Sequence, residues 1–473
     1  MAVLVPDERP RRWKLDDIVV TDPPIIRRAI GAAAIGNITE WYDFGVYAYF
    51  EPTIKKVFFS GLGDTAGTIA TAGLFAVAFL VRPIGGMVFG PLADRIGRNR
   101  VLATTMILMA LGTFAIGCIP SHASIGIWAP ILLLVARLVQ GFSTGGEYGN
   151  AMTFIAEYAP DRRRGFLGSW LEFGTFTGYL LGAIMVTVAD AVFSDDQLLS
   201  WGWRLPFFVA LPLGIVGVYL RARLADTPAY QQLEQEQEDK EKQQKSEGEA
   251  KKLAHLWPFA LVCVGLVLAW NVTNYMLTAY MPTYVTDTVH QHGAGVSSGT
   301  SQVVQIVVMV VALLTIPLLG LLSDRIGRKP IAFVGAAMLV VLAFPMILLV
   351  RASSAVGVFA GLLIMGLALI CFSSTMPSTL PSLFPTDVRG AGLSISFNVS
   401  VSLFAGTTSF VMSTLVGATG DLNWPAYYLI AAGLIGAVSL YFLAEPNGRK
   451  MWGSAPAAAS EEEAKEYVSA QGG

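Results

Sequence analysis

A loop motif that occurs twice constrains the fold more than anything else in the chain. Gly90-Pro91-Leu92-Ala93-Asp94-Arg95-Ile96-Gly97-Arg98 returns as Gly320-Leu321-Leu322-Ser323-Asp324-Arg325-Ile326-Gly327-Arg328, with Gly, Leu, Asp, Arg, Ile, Gly and Arg in the same places. Each copy lies in a short basic loop between two long apolar segments. A second landmark, Pro160-Asp161-Arg162-Arg163-Arg164-Gly165, is echoed at nearly the same offset by Pro385-Thr386-Asp387-Val388-Arg389-Gly390. Two matched landmarks at one offset mark a duplicated unit.

The apolar segments set the environment of that unit. The chain is 54% hydrophobic and 14% charged, with a mean hydropathy of +0.57; soluble domains are nearer about 25% charged. Many charge-free windows reach about 20 residues, enough to cross a hydrocarbon core of about 30 Å. They do not alternate as the strands of a membrane barrel must. The expected class is an all-α integral membrane protein. Cys118, Cys263 and Cys371 all lie in apolar runs, with no disulfide or metal-ligand spacing. Met1 to Arg28 is polar and basic, without a cleavable apolar core. No nucleophile, metal or phosphate constellation appears, so neither an enzyme nor a cofactor is expected, and no nucleic-acid partner.

Twelve spans fit the sequence: about 29–50, 66–90, 100–119, 127–157, 166–189, 203–222, 256–286, 299–321, 331–350, 355–380, 391–416 and 425–444. The expected organisation is an N-terminal segment 1–28, a six-helix half 29–222, a linker 223–255, a second half 256–446 and a tail 447–473. An even count puts both termini on one side. The even-numbered loops carry Arg95, Arg98, Arg100, Arg162 to Arg164, Arg221, Arg223, Arg325, Arg328, Lys329 and Arg389. The positive-inside rule makes that side cytoplasmic. The linker run Gln231 to Lys252 is rich in Gln, Glu and Lys and has no heptad pattern, and in the tail Ser460 with Glu463 reads as a capping box opening a short helix.

Ionisable groups at bilayer depth cost a few kcal/mol or more and are functional candidates by default. They fall almost entirely in the first half: Glu40 and Asp43 in span 1, Arg82 in span 2, Arg137 and Glu147 in span 4, Glu172 in span 5. Helical spacing puts Asn37, Glu40, Asp43 and Tyr47 on one face of span 1, and Arg137, Gln140, Thr144, Glu147 and Tyr148 on one face of span 4. Arg137 and Glu147 stand about 15 Å apart along the axis and cannot pair with each other. The expectation is a carboxylate and arginine network lining an aqueous cleft. The competing reading is that these are static pairs fixing helix register; for Glu40 and Asp43 the two stand level. Arg204, beside Trp201 and Trp203, reads as an interfacial anchor.

The second half offers neutral groups instead. Span 7 carries Trp270, Asn271, Asn274, Tyr275, Thr278 and Tyr280, span 8 Gln302 and Gln305, and span 11 Asn398. Neutral donors and ring faces suit a ligand carrying both charges, and a quaternary ammonium is attracted to the ring quadrupole. Packing is the alternative role for each ring. In the loop motif, Gly90 and Gly320 permit close helix approach. Asp94 and Asp324 can accept hydrogen bonds at a helix N-terminus, and Arg98 and Arg328 can pair with carboxylates of their own half. The motif is therefore expected to be a gate latch rather than a substrate site.

The doubled motif resembles the loop signature of the major facilitator superfamily, whose fold is twelve transmembrane helices in two pseudo-symmetric six-helix halves. Four longer strings narrow the resemblance: Gly36-Asn37-Ile38-Thr39-Glu40-Trp41-Tyr42-Asp43-Phe44-Gly45, Arg82-Pro83-Ile84-Gly85-Gly86, Gln140-Gly141-Phe142-Ser143-Thr144-Gly145-Gly146-Glu147-Tyr148 and Trp201-Gly202-Trp203-Arg204-Leu205-Pro206-Phe207. These are similar to the metabolite:proton symporter family. Within it, the strings 168–174, 226–230 and 271–282 resemble the osmoregulatory proline/betaine symporters. The tail stops short of the long coiled coil of some members, and Glu172 stands where the pattern more often has Asp.

The resemblance implies a proton-coupled importer of small zwitterionic osmolytes such as proline, glycine betaine or ectoine, working by alternating access in the cell inner membrane as a monomer or weak dimer. The expected roles are proton coupling by Glu40, Asp43, Glu147 or Glu172; substrate binding by Arg82, Arg137, Gln140, Trp270, Asn271, Asn274 and Tyr275; and gating by Gly90, Asp94, Arg98, Gly320, Asp324 and Arg328. The rival reading within the family is an organic-acid symporter, which would want a second arginine in the cleft. A non-transporting osmosensor is a more distant alternative.

Overall fold

The computed structural model of the chain describes residues 13–20, 23–96, 98–145, 147–225, 255–291, 295–386 and 388–470. Most of the linker, and the side chains of Gly90, Asp94, Arg98 and Glu147, lie outside the described residues.

The chain folds as twelve helical passes. Span 1 is Pro23–Tyr49. Eight further passes are long and apolar enough to cross a membrane by length and composition: span 2 (Asp64–Phe89), span 5 (Asp161–Val192), span 7 (Trp257–Thr288), span 8 (Ser298–Ile326), span 9 (Arg328–Val350), span 10 (Ala355–Leu383), span 11 (Arg389–Thr419) and span 12 (Trp424–Phe442). Two shorter apolar helices, Ala103–Cys118 and Trp128–Ser143, belong to spans 3 and 4. Span 6 is a pair of helices, Asp195–Gly202 and Arg204–Tyr219, bent by 43°.

Several passes that read as continuous in sequence are interrupted. Span 4 stops at Ser143 and resumes at Glu147, and span 2 is broken at Val81. Glycine explains why these two spans lie so close. A Cβ on Gly141 would stand 1.9 Å from the Ala78 carbonyl oxygen, and one on Gly145 would stand 2.0 Å from that of Arg82. Only a residue without a side chain allows backbone against backbone here, and this contact brings the two arginine-bearing spans together.

The duplication is visible in the packing. Span 5 lies along span 8, and span 2 along span 11. These contacts exchange under the relation that maps span n to span n+6, so the halves meet through a pseudo-symmetric seam. Spans 1 and 7 line its centre.

The first and last described segments lie on one face, called here the terminal face. Val19–Val20 pairs in parallel with Ala457–Ala458. The tail ends in the helix Glu461–Ala470, where Ser460 Oγ accepts from the Glu463 N–H at 3.2 Å. The expected cap is therefore present, although the Glu463 carboxylate accepts from Ala459 N–H rather than from Ser460. The tail reaches both halves. Tyr467 and the Ala457 N–H donate to Asp161, and Arg162 pairs with Glu466 at 2.8 Å. Arg389 and the Thr386 N–H donate to the Trp452 carbonyl. Burial and the charge of Asp161 push the Tyr467 phenol up, so it stays a donor.

Candidate functional site

The charged residues singled out in the first half are gathered at its centre. Arg82 pairs with Glu40 at 3.0 Å, and both are buried. The same guanidinium nitrogen, Nη2, also donates to the Thr144 carbonyl at the break in span 4. Arg137 donates to Gln140 at 2.8 Å and to the carbonyls of Leu74 and Phe75, and lies 4.1 Å over the Tyr47 ring. Gln140 passes the connection on to Thr113 at 2.6 Å. Asp43 is within electrostatic reach of Arg137 and Glu40 and has the Thr113 side chain beside it, but neither of its carboxylate oxygens is in full hydrogen-bond geometry with a described residue. Asp43, Glu40, Thr39, Ser143 and Thr144 border a cavity of about 10 Å³, the room that one water needs.

Glu172 accepts from Tyr148 and from Thr175 at 3.0 Å, leaving its other oxygen unpartnered among the described residues. Asn37 ties span 1 to this group, donating to Thr175 and to the Leu171 carbonyl, while Trp41 Nε1 donates back to Asn37 at 3.0 Å.

The second half meets this network through rings. Tyr275 packs at 5.0 Å from Phe79, 6.1 Å from Phe75 and 6.3 Å from Trp41, centroid to centroid. Tyr148 stacks on Phe397 at 5.1 Å and lies 6.2 Å from Trp270. Trp270 donates to Ser373 at 2.9 Å. The Tyr275 hydroxyl and Asn274 Oδ1 are buried with no partner among the described residues. Asn271 bonds within its own helix, to the Val267 carbonyl. The expected open aqueous cleft is not the form observed: rings of both halves fill the centre of the seam. Phe75, Phe79, Trp41, Tyr179 and Phe397 were not candidates from sequence. The four-residue spacing of Phe75 and Phe79 marks one helix face, but nothing in sequence says which partner that face meets.

The seam is held at both faces. On the terminal face Asp324 accepts from the N–H groups of Gly165 and Phe166, at 2.7 and 2.8 Å, where span 5 begins. An anion at a helix N-terminus is what the dipole favours. Arg328 stands 3.5 Å from Asp324, within its own half. At Gly320 a Cβ would come within 2.6 Å of Ser169 Oγ. Arg389 pairs with Glu157 across the halves at 2.5 Å. On the far face Lys55 meets Asp287 at 2.6 Å, Thr283 donates to Glu51, and Gln302 donates to Asp190. Arg204 donates to the carbonyls of Gly117 and Ile119, capping the end of span 3 and resting on the Trp203 ring at 4.6 Å. It is thus an anchor between helices.

Comparison with known proteins agrees with this geometry. The model of the sugar (and other) transporter family matches residues 29–451. The chain is 44% identical to the proline/betaine transporter of Salmonella typhimurium, over 96% of its own length and 90% of that protein. It is 45% identical, with the same coverage, to the glycine betaine/proline/ectoine/pipecolic acid transporter OusA of Dickeya dadantii. It is 39% identical to the ectoine/proline transporter ProP of Corynebacterium glutamicum, over 97% of this chain and 92% of that one. Among solved structures, a partially occluded inward-open form of the Escherichia coli xylose transporter XylE superimposes with a TM-score of 0.68 at 17% identity, covering 89% of this chain and 97% of that one. By the doubled loop motif, the two six-helix halves and its identity to these relatives along nearly its whole length, the chain belongs to the major facilitator superfamily, in the proline/betaine transporter family.

Proposed function

We propose that the chain is a secondary symporter that imports a small zwitterionic osmolyte together with a proton, across the plasma membrane, with the terminal face cytoplasmic. The observation that carries this reading is the meeting of two unlike surfaces at the seam. From the first half come the paired Arg82 and Glu40, with Glu172 and Asp43. From the second come the rings of Tyr275 and Trp270, set against Trp41 and Tyr148 of the first, with the Asn274 Oδ1 and Tyr275 hydroxyl unpartnered among the described residues. A ligand with one positive and one negative end is matched by an ion pair it can join at little net charge, and its cationic end by Trp41, Tyr148, Trp270 and Tyr275. The names of the relatives, which are transporters of proline, betaines and ectoine, point the same way.

A dianionic acid is a poorer match. Arg82 already serves Glu40, and Arg137 is engaged by Gln140 and two carbonyls. Spans 7 to 12 supply no arginine at mid-depth among the described residues.

In this reading Arg82 receives the substrate carboxylate while Asp43, buried without a cation in direct contact among the described residues and bordering the small cavity, takes the proton. Asp324, Arg328 and Gly320 latch the cytoplasmic face. One proton carried with a neutral zwitterion moves one charge inward. That makes about 2.3 kcal/mol available per 100 mV, or roughly fifty-fold accumulation.

The test is uptake by proteoliposomes under an imposed inward proton gradient, comparing labelled proline, glycine betaine and 2-oxoglutarate. Gradient-driven betaine or proline uptake is expected. Uptake of 2-oxoglutarate alone would replace this reading with an organic-acid symporter.

A further inference from the structure

One buried carboxyl takes no part in the site as described so far. Glu51 opens the short helix Glu51–Phe58 that follows span 1, and lies where the two halves meet on the far face. It is buried at 3% exposure. One oxygen accepts from Thr283 Oγ1 of span 7 at 3.1 Å, and the other has no partner among the described residues. The groups that face it are Lys55 on its own helix, Tyr47 on span 1, Arg137 on span 4, and Tyr280 and Asp287 on span 7. Lys55, the nearest cation by sequence, is committed to Asp287 at 2.6 Å. A structural role would give so buried a carboxylate a cation of its own. Glu51 has one neutral hydroxyl.

Its register supplies the second argument. Glu51, Tyr47, Asp43 and Glu40 follow one another in steps of four, four and three residues, which keeps them on one helix face. Phe50 is a turn residue between the two helices (φ −90°, ψ 6°), but its N–H donates to Val46 and its carbonyl accepts from Ile54, so the hydrogen-bond ladder carries across the break. Eight residues separate Glu51 from Asp43, about 12 Å at the helical rise. The face therefore runs from the outer seam to the two carboxylates beside Arg82 and Arg137.

We propose that Glu51 is the port through which the coupling proton enters from outside. The inference rests on the symport reading above. When the halves part on the far face, the Thr283 bond and the Lys55–Asp287 pair break and water reaches Glu51. Hydronium gives its proton to the carboxylate, forming one O–H bond and leaving water. That O–H then breaks as the proton passes, through water along the Tyr47 face, to the carboxylate of Asp43, and Glu51 is again ionised. Closure of the far face returns it to its buried setting, so loading is confined to the outward-open form.

The experiment uses the full chain in proteoliposomes with labelled glycine betaine, in two assays: uptake driven by a proton gradient, and counterflow with no gradient. For Glu51→Gln, gradient-driven uptake is expected to fall about tenfold or more and to lose its dependence on external pH, with a much smaller loss of counterflow. Glu51→Asp restores driven uptake with a displaced pH profile. Thr283→Val removes the hydrogen bond but keeps the carboxyl, and retains coupling. Driven uptake by Glu51→Gln with the wild-type pH profile overturns the inference. So does a Thr283→Val protein that loses coupling as fully as Glu51→Gln, since Glu51 would then be a latch. Should Glu51→Gln give no counterflow, an unshifted pH profile for Glu51→Asp overturns it. A wild type that exchanges betaine but ignores the gradient refutes the symport reading instead.

Discussion

The two halves descend from one pattern and use it differently. The first half keeps Glu40, Asp43, Arg82, Arg137 and Glu172 buried at its centre, and the breaks in spans 2 and 4 both fall beside Arg82. The second half keeps neutral groups at the same depth, and its buried charges, such as Arg328 and Arg389, lie at the terminal face. Its helices along the seam carry wide turns: Met276–Tyr280 and Tyr284–Thr288 in span 7, and Val401–Ala405 in span 11 are π-helical. Such turns lengthen the hydrogen-bond ring and are commonly found at functional sites. Buried charges hold their surroundings to one arrangement, because each displaced partner leaves an uncompensated ion. Neutral groups on distorted helices have no such penalty. The difference assigns fixed electrostatics to the first half and adaptable closure to the second.

The sharpest way to break that comparison is to neutralise one member of the buried ion pair. Arg82→Gln takes the paired cation away from the buried Glu40, a loss worth about 3–5 kcal/mol. Betaine uptake is expected to fall by more than about a hundredfold, with a lowered melting temperature in detergent. The double variant Glu40→Gln with Arg82→Gln should recover most of the melting temperature and none of the transport. Recovery of both would show that the pair only fixes helix register.

A smaller effect is expected across the seam. Asp324→Asn removes the charge from two hydrogen bonds at the start of span 5, each of the charge-assisted kind worth about 1.5–3 kcal/mol. The terminal face should open more often. Ser378 of span 10 is buried against Gly168 of span 5, and its carbonyl accepts from Arg328; labelling of a single cysteine at Ser378→Cys, in a chain with the native cysteines replaced, would rise about tenfold. Unchanged labelling would mean that Glu157–Arg389 and the tail hold this face without the motif.

Tests of the second half alone should give less again. Tyr275→Phe and Asn274→Ala each remove one polar group that has no protein partner among the described residues. If each meets the substrate, KM should rise about three- to tenfold, the equivalent of one hydrogen bond, with kcat nearly unchanged. An unaltered KM in both would reduce the second half to packing and move recognition entirely to the first.

Much of this contrast was legible beforehand, for definite reasons. Charge at depth is a property of single positions, so Glu40, Asp43, Arg82, Arg137 and Glu172 stood out by hydropathy alone. The Asp324 contact was readable because the motif is repeated and an acid near a helix start has a known preference. What stayed hidden depends on neighbours. Glu51 follows directly on span 1 and looks like an ordinary loop acid until Thr283 and the rest of span 7 cover it. The breaks at Val81 and after Ser143 form where Gly141 and Gly145 press against the partner backbone, a contact that helix periodicity cannot announce. The ring seam joins Phe79 to Tyr275 and Tyr148 to Phe397, residues far apart in the chain.

The tail supplies the mildest test, and it bears on whether the halves are joined by more than their seam. It touches the first half through Asp161 and Arg162 and the second through Thr386 and Arg389. These contacts are of different kinds. Tyr467 and Asp161 are largely shielded, whereas the Arg162 and Glu466 side chains are 54% and 64% exposed. Exposed pairs contribute about 0–1 kcal/mol and are screened beyond about 8 Å at physiological salt. Arg162→Ala should therefore lower the melting temperature by about a degree at most, and the difference should vanish in high salt. Tyr467→Phe, by contrast, removes a half-buried donor from the buried Asp161 and should cost more, about 1 kcal/mol, with little salt dependence. If Arg162→Ala proves the costlier of the two, the tail is held by charge rather than by its less exposed contacts, and the first half's fixed electrostatics extend out of the membrane onto its terminal face.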